Sequence, residues 1–355
     1  MNSLPEPPGY PKCAPEVLFS ALTSNLMFGS HIFILIVIIT GLFTTVNAFR
    51  IMWKHSVFAS SAKVILWFAL LNGLVHMITM GVIRFKALLH AVLYFNDPCS
   101  IQFLSSDCLI DNYAVYTTNV FAACCLVSLF LDRLFSFKKR SFYFAHQVTF
   151  SSLFMLTGFI GSVFSVYWVF HTVPFNDYVP MCSYPPKQSL GDFYFVGALR
   201  MWAIGFSFLA SGIILYCNAK RDKGMIHHVF NTDERFNSYE NLLTTGAVTW
   251  VLFTQIGLLG LTSLVVNTMH RYRQLISDET FTYVVSVMAG TTYSAAIVPV
   301  IIHWKTVQIV RRRTTALGKL QMTDNFEDYF ASLDEQWGRQ TYKVIKEKTS
   351  AVASN

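Results

Sequence analysis

Charged and polar residues in this chain come in bursts between seven long apolar runs, at 26–49, 64–83, 108–131, 148–170, 193–217, 242–266 and 281–302. Each run is about 20 residues or more, and at about 1.5 Å of rise per residue such a helix crosses the hydrocarbon core of a bilayer. The runs are apolar on every side rather than striped at the helical period, which excludes the surface helices of a globular domain. The pattern predicts an all-α membrane protein, a seven-transmembrane helix bundle. No internal repeat is visible, so the inverted-repeat plan of many transporters finds no support.

The third run organises the rest. From Cys108 to Arg133 is 25 residues, roughly 37 Å of helix, enough to reach both sides of a bilayer. Asp111 near the cysteine end is the sole charge inside it until Asp132 and Arg133 close the other end, ahead of Lys138, Lys139 and Arg140.

Composition fits this picture. Apolar residues make up 53% of the chain and charged residues 13%, too few charges for soluble surfaces. The formal net charge of +7 is not gathered on one face as a nucleic-acid binder requires, so no nucleic-acid partner is expected. It sets orientation instead. Twenty of the 27 Lys and Arg residues fall in the connections after runs one, three and five and in the C-terminal tail. The positive-inside rule then puts the N-terminus outside and the C-terminus in the cytoplasm. The resulting plan is an extracellular Pro-rich tail (1–25), a membrane bundle (26–302) and a cytoplasmic tail (303–355). That tail comprises a basic amphipathic segment against lipid and an aromatic segment around Phe326, Tyr329, Phe330, Leu333 and Trp337. Residues 1–13 lack the basic and apolar regions of a cleaved signal, so the first helix is expected to direct insertion.

Four of the seven cysteines, Cys13, Cys99, Cys108 and Cys182, fall on the expected outer side. Four thiols allow three pairings. The first pairing to consider joins Cys108 to Cys182, tying the third helix to the loop after the fourth, with Cys13 and Cys99 left as the second pair. Cys124, Cys125 and Cys217 lie in or at the ends of apolar runs.

Candidate functional residues follow from the cost of polar groups in lipid. His76, Asp111, Asn112, Tyr113 and Tyr116 are candidates for a ligand pocket, and Asn72 and Asn119 for contacts between helices. Asp111 would either receive a polar ligand or be wetted at the interface. Arg200 is expected to snorkel to the outer headgroups. Asp132 and Arg133 suit a switch in which the arginine leaves its acid for an incoming partner; an ordinary interfacial charge pair is the alternative. Lys220, Arg221, Lys223 and Arg235 would favour an acidic partner surface. Pro299 removes a backbone donor inside the seventh helix, making either a hinge or a static kink. The histidines show no metal-ligand spacing and no nucleophile motif appears, so neither an enzyme nor a cofactor is expected.

The seven runs together with LDRLFSFKKR after the third, DERFNSYENLL leading into the sixth, VPVIIHWKT in the seventh and NFEDYFASLDEQW in the tail resemble the nematode serpentine chemoreceptors of the Sra superfamily, which includes the Sra, Srab, Srb and Sre groups. Cys108, Asp132 and Arg133 also match the pattern of rhodopsin-like receptors. The fifth and sixth helices lack the prolines of that pattern, and Val298-Pro299 followed by Ile302 replaces its Asn-Pro and Tyr. The resemblance implies a rhodopsin-like chemosensory G-protein-coupled receptor. Its partners would be a heterotrimeric G protein and a small environmental chemical, in the plasma membrane of a chemosensory neuron's cilium. A seven-span ligand-gated channel or a transporter acting without a G protein is the competing class.

Overall fold

In the computed structural model, the described residues are 12–322 except 56, 57, 139, 172, 174, 185, 229–231, 273 and 274. The chain divides into two units, Met1–Thr306 and Val307–Asn355. The first is a helical bundle; in the second, residues 307–322 are helical. The aromatic segment expected at 326–337 lies outside the described residues.

The helices are α1 (Glu16–Leu22), α2 (Asn25–Lys54), α3 (Ser60–Leu93), α4 (Leu109–Lys138), α5 (Arg140–Phe170), α6 (Leu190–His228), α7 (Thr232–Arg271), α8 (Asp278–Val287) and α9 (Gly290–Met322). Among the described residues, seven stretches are long and apolar enough to cross a membrane: one in each of α2 to α7, and Thr280–Arg311 across α8 and α9. The helices run past the apolar runs that announce them, because backbone hydrogen bonding continues into polar sequence. In α5 the apolar run begins just after a kink at His146.

Two features of these helices have clear local causes. Ser24 caps α2, its hydroxyl accepting from the Met27 amide at 3.2 Å, and Ser277 caps α8 through the Thr280 amide at 3.3 Å. The seventh span is interrupted at Met288–Ala289, between α8 and α9. Pro299 is buried inside α9, which continues through it.

The bundle is built around α4, which packs against α3, α5, α6 and α7. More than half of its apolar stretch is buried, against 12% for the stretch in α6, so α4 is the central helix. Small residues allow close approach. A Cβ added to Gly41 on α2 would lie 2.9 Å from the Cβ of Ala296 on α9, and one on Gly158 of α5 would lie 3.0 Å from the Cβ of Cys124 on α4.

Sidedness of the residues is inverted relative to a water-soluble fold. Phe43, Ile160, Trp202 and Leu209 are exposed on the outer surface, while Asn72, His76, Arg84, Asp132 and Arg133 are buried. Apolar side chains outside and polar ones inside suit a lipid surround, and the protein is a multi-pass membrane protein.

At the Cys108 end of α4, the connections fold into a short antiparallel pair, β1 (Phe103–Leu104) with β2 (Tyr178–Val179), in the register Phe103 to Val179 and Leu104 to Tyr178. The Ser105 amide extends it by donating to the Asp177 carbonyl at 2.8 Å.

Candidate functional site

At the far end of α4, Asp132 and Arg133 are almost completely buried. The Arg133 Nε donates to Asp132 Oδ2 at 2.9 Å, and a terminal guanidinium nitrogen pairs with the same oxygen. That guanidinium also faces the Ser61 hydroxyl of α3 at 3.4 Å. On the acid's other side, the Ser151 hydroxyl of α5 sits 3.4 Å from Asp132 Oδ1. The pair therefore joins α3, α4 and α5. A buried pair of this kind is satisfied only while its neighbours hold their places, since separating the charges without a new partner leaves two desolvated ions. Lys305 on α9 lies 4.8 Å from the Trp250 ring of α7 and 4.3 Å from that of Trp304, a further link at this end.

The basic residues expected nearby divide by position. Lys220 is exposed on α6. Arg221 and Lys223 lie on the same helix and Arg235 on α7; their side chains lie outside the described residues.

The opposite end carries two disulfides, Cys108–Cys182 and Cys13–Cys99. The first ties the start of α4 to the segment just after β2, and the second brings the N-terminal segment to the α3–β1 connection. Asp97 braces that connection, accepting from the Ser100 hydroxyl at 2.6 Å and the Cys99 amide at 3.0 Å. These bonds stabilise the carboxylate and hold its pKa below the ordinary value.

Midway along the bundle a polar belt crosses three helices. The Asn72 amide of α3 donates to the Thr118 carbonyl of α4 at 2.9 Å. The Thr118 hydroxyl donates into its own helix, to Ala114 and Val115 carbonyls at 2.9 Å. Its oxygen therefore accepts from His76 Nδ1 at 2.9 Å, leaving Nε2 to accept from the Thr292 hydroxyl of α9 at 3.3 Å.

None of the cavities described among these residues is lined by all five candidate pocket residues. His76 is engaged in the belt. Asp111 pairs with Lys86 of α3 at 2.7 Å. Asn112 is fully buried with neither side-chain polar atom hydrogen-bonded. Tyr113 lines a groove of about 840 Å³ formed by α3, α4 and α5, whose rim includes the exposed Phe68, Val75 and Phe159. A groove open to the lipid side at that breadth suits acyl chains. Tyr116 lines a separate, smaller cavity of about 30 Å³ between α4, α5 and α6, shared with Asn119 and Arg200.

Arg200 departs from the sequence expectation. It lines that cavity, and its Nε is cut off from solvent without a hydrogen bond, whereas snorkelling would carry the guanidinium to the headgroups. The reason is rotational: α6 turns this position toward α4, so the side chain reaches inward. Arg84 is one of the seven Lys and Arg residues outside the connections and tail expected to face the cytoplasm. It is buried between α2, α3 and α8 and donates to His31 Nδ1 at 3.3 Å and twice to Ser286. A signal was present in the sequence, since Arg84 directly follows the run 64–83, which carries no charged residue. Among the described residues no three His, Cys, Asp or Glu side chains converge as a metal site requires.

The chain matches the family model for the serpentine type 7TM GPCR chemoreceptor Sra over residues 9–337. Among curated relatives from Caenorhabditis elegans, it is 41% identical to serpentine receptor class alpha-29 over 94% of this chain and 97% of the relative. It is 38% identical to serpentine receptor class alpha-31 over 92% and 96%, and 37% identical to serpentine receptor class alpha-28 over 93% and 97%. With the match spanning all seven apolar stretches and both ends of α4, the chain belongs to the Sra family of serpentine seven-transmembrane chemoreceptors.

Proposed function

We propose that the protein is a chemosensory G-protein-coupled receptor of rhodopsin-like architecture, with its N-terminus outside and residues 303–355 in the cytoplasm. The disulfide end of the bundle is then the ligand side and the Arg133 end the signalling side. In this reading a small environmental chemical shifts the packing of α4 against its neighbours, Arg133 is released from Asp132, and the inner ends of α4, α6 and α7 open for a heterotrimeric G protein. Lys220, Arg221, Lys223 and Arg235 present positive charge to it, and the break between α8 and α9 adds a second flexible point to Pro299. The site of action is the plasma membrane, in the cilium of a chemosensory neuron.

The observation that carries the reading is the buried Asp132–Arg133 pair held between Ser61 of α3 and Ser151 of α5. It is a latch shared by three helices, and opening it requires those helices to move together. The test is a chemical panel with a calcium readout in expressing cells, with and without G-protein inhibition. Arg133→Ala is expected to reach the surface and lose ligand-evoked signalling. Normal signalling from that variant, or responses indifferent to G-protein inhibition, would overturn the reading.

A further inference from the structure

Arg200 lies nine residues past the start of the Gly191–Ile214 stretch, about 14 Å along the helix, and Asn119 lies at similar depth, ten residues past Leu109 on α4. The two face one cavity. Arg200 Nε and Asn119 Oδ1 are both buried and both lack a hydrogen-bond partner. The ion pairs among the described residues, Lys86–Asp111 and Arg133–Asp132, are elsewhere. Arg200 is half-buried, with its Nε closed off; a cation at this depth in the bundle without a counter-charge is costly, and such residues mark ligand paths.

From this juxtaposition we infer that the chain binds a small organic carboxylate on Arg200, between α4, α5 and α6. A guanidinium offers a planar fork that matches a carboxylate through two parallel hydrogen bonds. Half a turn of the Asn119 amide presents its NH2 group to the same anion. The cavity, about 30 Å³, has room for roughly one or two water-sized groups, the size of a carboxylate head. Its other walls include Tyr116, Val166 and Phe193, which favour an apolar remainder at the cavity's mouth over a strongly hydrated dianion. Arg84 is a weaker anchor because both terminal nitrogens already donate to His31 and Ser286. The inference names a ligand class for the receptor reading and takes its physiological meaning from it.

The full chain, purified in detergent, is to be melted with acetate, butyrate or benzoate, each against its matched amide. At least one carboxylate is expected to raise the unfolding midpoint by several degrees where its amide does not. Arg200→Gln is expected to abolish the shift. So is Asn119→Leu, which keeps Arg200 and replaces the cavity's second polar group with an apolar side chain; it carries the test if Arg200→Gln fails to fold. No shift with any of the three acids, an equal shift with the amides, or a shift that survives the variants would overturn the inference. Stabilisation without a calcium response would keep the carboxylate site and remove the G-protein reading. A G-protein-dependent response to panel compounds, with no carboxylate stabilisation, would do the reverse.

Discussion

Arg84 on α3 grips Ser286 on α8 with both terminal nitrogens, one donating to the Ser286 hydroxyl and the other to its carbonyl, each at 2.6 Å. The contact falls where α8 is about to end, and the Tyr293 hydroxyl of α9 donates to the next carbonyl, Val287, at 2.7 Å. Carbonyls at a helix C-terminus have no intrahelical donor and carry partial negative charge. Arg84 thus supplies a donor to the Ser286 carbonyl at the break, and Tyr293 adds a second donor to the Val287 carbonyl, which also accepts from the Ala289 amide at 2.7 Å.

This arrangement predicts strong coupling between the two residues. Ser286→Ala removes an acceptor from a buried guanidinium and is expected to destabilise the protein by about 1.5–3 kcal/mol. Adding Arg84→Met removes the charge that was left short of partners and should recover part of that loss. A double-mutant cycle by reversible unfolding in micelles checks it, and a coupling energy near zero would show that the contact does not hold the break.

Gly41 predicts a position-specific intolerance within α2. A methyl there meets Ala296, including its Cα at 3.1 Å, where the backbone of α9 cannot yield as a flexible side chain could. Gly41→Ala is expected to cost about 1–3 kcal/mol by overpacking. Gly29→Ala on the same helix meets nothing within 4 Å and should gain up to about 1 kcal/mol from helix propensity. Equal behaviour of the two variants in thermal melts would argue against the close α2–α9 approach.

The two disulfides predict different losses. Cys108 and Cys182 are buried at 0% and 2% exposure beside the β1–β2 pair, so replacing both with Ser leaves hydroxyls in a closed site as well as freeing the loop. A loss of about 2–5 kcal/mol and reduced surface expression are expected. Replacing Cys13 and Cys99 frees the N-terminal segment, still held by the Ala14 amide donating to the Pro98 carbonyl at 2.8 Å, and should increase protease cleavage near residue 13 with the bundle intact. Asp97 adds a pH dependence to that second anchor. Because its folded pKa is lowered, its contribution is present above the unfolded value of about 4 and is lost as pH falls through the folded value. Limited proteolysis of wild type across pH 2–7 should show cleavage rising only at the acid end; a rise starting at pH 6 would exclude Asp97 as the cause.

The seven apolar stretches, the centrality of the third and its two polar ends were legible in the chain because lipid leaves few solutions: backbone groups must pair locally, so length and apolarity alone announce a span. The same economy placed the cysteines in two groups. The break at Met288–Ala289 was not legible, since TYVVSVMAGTTY contains no proline and its glycine is one of many. The carbonyls there are met partly by the local Ala289 amide and partly by Arg84 and Tyr293 arriving from α3 and α9, and those two arrivals depend on packing.

Sequence by itself thus determined how many times the chain crosses and which residues were expensive to bury, because those depend on local composition. Only the tertiary structure decided which of those residues found partners. His76 met Thr118 and Thr292, Arg133 met Ser61, and Arg200 met a cavity, because helix rotation about the long axis is set by packing between segments far apart in the chain. Half a turn of phase separates a lipid-facing arginine from an inward one, and no local pattern around position 200 encodes that phase.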